Sequence, residues 1–205
     1  MQRQSLLIPA LVTVILSLAG CGGGGGGGGG GGPAPQTSVA LPETGQTTCY
    51  NTTGTVITCA GTGQDGELRA GVTWPSPRFT VGTGVTMDCV TDNLTGLMWV
   101  RSPSTTPDNW VNALTSANNL TRCGFSDWRL PNVNELESLM NSEVANPATW
   151  LNTQGFNGIQ AGSYWSSSSD ASSVVDAWYV ALNSGRVSAT TKSGVDYVLP
   201  VRAGQ

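Results

Sequence analysis

The chain contains no histidine among its 205 residues. That absence removes Ser-His-Asp and Cys-His catalysis, together with the commonest protein ligand for zinc or copper. Charge is also scarce, at 11% of residues against 39% hydrophobic, so Ser, Thr, Asn and Gly must dress the surface. Such a composition suits an exported, β-rich protein better than a cytosolic enzyme. No basic run occurs, and the formal net charge is -4. Nucleic acid and polyanionic polysaccharides want Lys and Arg clustered on one face, whereas here the cations are scattered from Arg69 to Arg202. Nucleic acid is therefore not expected as a partner. Long apolar runs are missing too: the stretch 6–18 is too short for a comfortable membrane span.

What the N-terminus does have is a single early cation, Arg3, then that apolar stretch, then Leu18-Ala19-Gly20-Cys21. Small residues before the cysteine suit a signal peptidase. The tetrad resembles the lipobox of bacterial lipoproteins. The resemblance implies that residues 1–20 are removed and that Cys21 becomes the first residue, carrying a diacylglyceryl thioether and an amide-linked acyl chain. Several acyl chains anchor firmly, since each buried methylene contributes about 0.8 kcal/mol. An ordinary secretory signal with an incidental cysteine is the plainer alternative. Gly22 in place of Asp resembles an outer-membrane address, so the expected location is the outer membrane or cell surface. An unbroken glycine run over 22–32 and Pro33-Ala34-Pro35 follow. As a flexible coil this run spans roughly 18 Å, which makes 21–36 a tether. It is not a phosphate-binding loop, because no strand precedes it and no helix with Lys and Ser or Thr follows.

With Cys21 committed to acylation, Cys49, Cys59, Cys89 and Cys123 remain. An even remainder in an oxidising compartment reads as two disulfides, for which three connectivities exist. Cys49–Cys59 is favoured because the segment between has a hairpin shape, with Asn51-Thr52-Thr53-Gly54 as the turn and Thr55-Val56-Ile57-Thr58 as the returning strand. Cys89–Cys123 follows by elimination, and free buried thiols are the alternative. The segment 37–78, rich in Thr, Gly and Pro, is expected to be a small disulfide-pinned β extension with a turn at 62–66. Trp74-Pro75-Ser76-Pro77-Arg78-Phe79 leads out of it as an extended connection, since paired prolines keep a chain out of helix.

The main domain, 79–205, begins with a strand over 85–90, a turn over 91–96 and a largely apolar strand over 97–100. Asp108 is expected to cap a helix whose stripe is Trp110, Ala113, Leu114, Ala117 and Leu120. In the stretch 123–140, Trp128 and Leu130 share one face of a strand that Pro131 ends. Asn132 and Glu135 then form a capping box for a second helix over 133–141. Arg129 is expected to pair with Asp127 or Asp92. Residues 141–163 read as a long loop, and such loops within a compact domain tend to be functional. The remainder is β: a strand from Tyr164, a hairpin of 177–182 and 186–190 turning at Asn183-Ser184-Gly185, and a last strand over 197–202 with Pro200 at an edge or end.

Several of these runs, in this order, resemble the Lcl C-terminal domain family. They are Val90-Thr91-Asp92-Asn93-Leu94-Thr95-Gly96-Leu97-Met98-Trp99, Asp127-Trp128-Arg129-Leu130-Pro131-Asn132 with Glu135-Leu136, Tyr164-Trp165-Ser166-Ser167, Ala177-Trp178-Tyr179-Val180 and Val201-Arg202. The resemblance implies an α+β, C-type-lectin-like fold, with two helices packed on small antiparallel sheets. It also implies a surface-exposed or secreted protein of the kind that includes an adhesin with polysaccharide-binding behaviour. The chain departs from that picture in its lack of cationic surface. It also has no Glu-Pro-Asn or Trp-Asn-Asp signature, through which calcium-dependent lectins hold sugar and metal together.

Among candidate chemistry, Trp99, Trp110, Trp128, Trp165 and Trp178 lie within apolar patterns and read as core. Trp150 lies in the long loop beside Asn152 and Asn157, and these three are ligand-binding candidates. Asp170 and Asp176, in the Ser-rich loop after Trp165, are further candidates. They can ligate calcium or keep the loop soluble, and solubility is favoured because nothing fixes more oxygen ligands. No cofactor or metal is expected. Glu135 and Glu137 point to different sides of their helix and do not make a glycosidase pair. The resulting expectation is a lipid-anchored surface protein that binds an extracellular glycan or protein without catalysis. One rival is a structural envelope protein. The other, an enzyme of the formylglycine-generating kind, needs Cys89 and Cys123 as free thiols.

Overall fold

The computed structural model describes residues 41–204. The expected signal segment, acylation at Cys21 and glycine tether lie outside the described residues. The described residues form one unit.

The extension opens with strands β1 (Cys49–Tyr50) and β2 (Val56–Ile57), antiparallel with Cys49 opposite Ile57. Asn51 fixes the turn, because its side-chain oxygen accepts from the amides of Thr53 and Thr55 at 3.0 and 2.9 Å. Cys49–Cys59 closes this hairpin, with Cα atoms 5.2 Å apart. The expected turn at 62–66 runs on into a one-turn helix, α1 (Asp65–Leu68). Glu67 holds it by accepting from the amides of Gly61 and Gly63 at 2.6 and 2.7 Å, and those bonds keep its carboxyl below the usual range.

Two antiparallel sheets follow. The first contains β3 (Phe79–Val81), β4 (Cys89–Asp92), β5 (Met98–Val100) and β9 (Val201–Arg202), in that spatial order. The strand expected over 85–90 is shorter than predicted: residues 84–86 form a 3-10 turn, because Gly84 takes φ +57 and Thr83 and Thr86 bond reciprocally. The second sheet is a meander of β6 (Ser163–Ser169), β7 (Asp176–Ala181) and β8 (Arg186–Thr191). Pro200 immediately precedes β9, the edge strand, where its missing amide costs no ladder bond.

The described residues hold four helices, not the two expected. In α2 (Trp110–Asn118) the cap is Asn109, whose side chain accepts from the Asn112 amide, while Asp108 sits one residue earlier. Ala113 and Ala117 of its stripe are fully buried. The capping box of α3 (Val133–Glu137) forms as expected, although the helix ends sooner, with Ser138 as its C-cap. The unexpected fourth is α4 (Pro147–Thr153), within the segment read as a loop. Asn146 caps it by accepting from the Thr149 amide, and Pro147 opens its first turn.

Trp99, Trp128 and Trp165 are buried as expected, with Tyr164, Leu136, Leu139, Leu151 and Leu199 among the other fully buried side chains. Each such apolar side chain contributes roughly 1.5–3 kcal/mol by leaving water. The Trp165 indole donates to the Asp108 carbonyl at 2.8 Å, and that of Trp128 to the Arg122 carbonyl at 3.1 Å. Cys89–Cys123 ties β4 to the turn before Trp128.

The ion pairs differ from expectation. Arg129 pairs with Glu135 at 2.6 and 2.7 Å, because the capping box brings that carboxylate back over the strand end. Burial works to raise the Glu135 carboxyl, but Arg129 and the Asn132 amide outweigh it and hold it low. Asp127 instead takes Arg202, and Asp92 takes Arg78. No helix among the described residues is long and apolar enough to cross a membrane.

Candidate ligand cleft

A cleft of about 470 Å³ opens between the extension and the main domain, lined among others by Glu43, Arg69, Trp74, Asn141, Trp150 and Gln154. The Pro-rich connection builds one wall. Its prolines keep the backbone out of helix, but the expected extended run bends over residues 76–78, where the Ser76–Pro77 peptide is cis, and Trp74 is laid against the domain. The Trp74 indole donates to the Glu43 carbonyl at 2.7 Å. Gly45 packs so tightly that a Cβ there would come within 2.7 Å of the Trp74 ring.

Trp150, half-buried on α4, supplies the facing aromatic wall, 5.7 Å from Trp74 between ring centroids at 38°. Phe79 meets the same ring edge-on at 5.8 Å. Beneath them lies Arg78, 4% exposed, with its guanidinium carbon 4.1 Å from the Trp74 centroid and 5.8 Å from that of Trp150. Cation–π contacts of this kind strengthen when desolvated. Arg78 also bonds both Asp92 oxygens at 3.4 and 3.3 Å and donates to the Ser138 carbonyl. Burial nonetheless lowers its affinity for a proton, against the pull of Asp92.

At the rim, buried Glu43 accepts from Thr73 at 3.0 Å and from half-exposed Arg69 at 3.3 Å. The Asn141 oxygen accepts from the Glu143 amide, and the Gln154 amide donates to Thr153. The Asn141 amide nitrogen and the Gln154 oxygen make no hydrogen bond among the described residues. The cleft therefore offers two indoles, an ion pair and side-chain amides with both donor and acceptor capacity to spare.

Of the residues singled out in the sequence, Trp150 lies in this cleft. Asn152 points elsewhere: its amide exchanges two bonds with the Ile159 backbone, at 2.9 and 3.0 Å, and staples the end of α4. Asn157 donates to Ser102 at 3.3 Å. Asp170 turns on itself, accepting from the Ser172 amide and hydroxyl at 2.8 Å, and these bonds hold its carboxyl low. Asp176 opens β7, with one carboxylate oxygen buried and unpartnered. Among the described residues no group of three or more His, Cys, Asp or Glu stands close enough to hold a metal ion. Sequence reasoning passed over Trp74, Glu43 and Arg78. The signal for Trp74 is its place between Thr73 and Pro75, a tryptophan outside any apolar pattern.

No curated protein matches the chain. The Lcl C-terminal domain model matches residues 88–202, more than half of the sequence. That segment holds Asn141, Trp150 and Gln154, whereas Glu43, Arg69, Trp74 and Arg78 come from before it. By that match the chain belongs to the Lcl C-terminal domain family.

Proposed function

We propose that the protein is lipid-anchored through Cys21 at the outer membrane or cell surface and binds an extracellular glycan in the Trp74–Trp150 cleft, without catalysis. The observation that carries the reading is the pair of half-buried indoles beside uncommitted side-chain amides. Pyranose rings present C–H faces that stack on indole and hydroxyls that both donate and accept, so such a wall and rim complement them. The lectin-like relationship inferred from the sequence motifs is consistent with this use. A bound glycan should quench and shift the indole fluorescence of the full chain, and Trp150→Ala or Gln154→Ala should weaken binding on a glycan array at least several-fold. An array that stays empty, with a pull-down that yields a protein ligand indifferent to both substitutions, removes the cleft from the account.

Assembly with other envelope proteins is the second reading. Val111, Val174, Val175 and Val195 are all at least 60% exposed, and Lys192 bonds to the Val174 and Val175 carbonyls and to the Trp110 amide at the start of α2. Copurification of a stoichiometric partner, lost on Val174→Asp, would favour it.

A further inference from the structure

We propose a second binding site, independent of the aromatic cleft: a trough along α2 that seats a short linear peptide by its free carboxylate and ammonium ends. A cavity of about 370 Å³ runs beside this helix, with Asp108, Ser116, Leu120 and Arg122 in its walls. Asp108 precedes the helix and Arg122 follows it. A helix of nine residues is about 13 Å long, so the two residues flank opposite ends of it while both line the cavity.

Arg122 carries the inference. Arg69, Arg78, Arg129 and Arg202 are each ion-paired. Arg101 donates to the Gly155 and Met87 carbonyls, and Lys192 donates to Val174 while lying over the Trp110 ring. Arg186 is exposed on its strand. Arg122 alone among the described cations is half-buried in a cavity wall with no side-chain hydrogen bond or ion pair. Its nitrogens are not among the buried unpartnered atoms, so its donors reach open space. A guanidinium so placed is a fork for a carboxylate.

At the other end, one Asp108 oxygen accepts from the Asn109 amide and the Asn112 side chain, both at 2.8 Å, and the second makes no bond. Ser102, Ser104, Thr106, Val100 and Val198 also line the cavity; the Ser102 hydroxyl accepts from Asn157 and that of Ser104 bonds the Thr106 backbone, each keeping a further lone pair. One cation and one anion make the trough electrically neutral, which disfavours phosphate, sulfate or a polyanionic chain. An extended tripeptide spans roughly 10 Å. Its carboxylate and ammonium stand that far apart, somewhat less than the length of the helix, with polar amides between them.

The test is calorimetric titration of the full chain in detergent with tri-alanine, its C-terminal amide and its N-acetyl form. Tri-alanine should bind, and both amidation and Arg122→Gln should weaken it by about tenfold or more, with acetylation weakening it less. Because the Arg122 side chain makes no hydrogen bond or ion pair, Arg122→Gln, which keeps most of its apolar stem, should leave the thermal midpoint nearly unchanged. Ser116→Leu, which fills the trough from α2, should also abolish binding. The proposal is overturned if tri-alanine does not bind at about 10 mM. It is equally overturned if binding survives amidation and Arg122→Gln, or if an oligogalacturonate and not the peptide responds to that substitution. None of these outcomes depends on the Trp74–Trp150 cleft, which Trp150→Ala reports separately.

Discussion

Asp196 shows how one side chain adds its own pH dependence to the stability of the molecule. Its backbone exchanges two bonds with Asp108, at 3.0 and 3.1 Å, and this pairing turns the carboxylate inward with one oxygen buried and unpartnered. Burial pushes its carboxyl up to about 6 from the usual 3.8. The folded form thus holds a proton between those values that the unfolded chain releases. Stability from this group is fully present below pH 3.8 and is lost as the pH rises through about 6. Asp196→Asn should therefore raise stability at pH 7 by about 1 kcal/mol, after discounting for solvent screening, and leave it unchanged near pH 4. Paired urea titrations at the two pH values would measure this, and an equal effect at both would contradict it. None of this was legible in the sequence, where Asp196 lies in an unremarked turn and acquires its environment only through a long-range bridge to Asp108.

At the scale of elements, what could be read followed local chemistry. The Asn132–Glu135 capping box, the Ala113 and Ala117 stripe and the hairpin turning at Gly185 depend on neighbours within a few residues, and all three form. The helix α4 was equally local yet missed. Asn146-Pro147 is a cap followed by a first-turn proline, but the glycines and asparagines after Leu151 made the whole stretch look irregular. Its cap should be measurable: Asn146→Ala removes the acceptor for the Thr149 amide and should cost about 1 kcal/mol. Trp150 fluorescence should report that loss directly, because the ring rides on this helix. A stability unchanged by the substitution would mean that packing of Leu151 alone holds it. Which carboxylate each arginine takes was not legible, since Arg78–Asp92 and Arg202–Asp127 join residues far apart in the chain.

For the molecule as a whole, the folding unit begins before the family-matched segment. Arg78 and β3 precede residue 88, yet Asp92, fully buried, has Arg78 as its cation. A chain starting at Phe79 should be less stable than one starting at Leu41 by about 3–5 kcal/mol, the cost of leaving a buried charge unpaired. Denaturant midpoints of the two fragments check this, and equal midpoints would show that the extension is dispensable. The second consequence concerns time. The edge strand β9 pairs with β5, and Val201 also exchanges two bonds with Arg129 at 2.9 Å. The first sheet can therefore close only once position 201 has reached β5, and until then Trp99 lacks the strand that pairs with it. A polypeptide cut before position 201 is left with β5 as an unpaired edge, open to another strand.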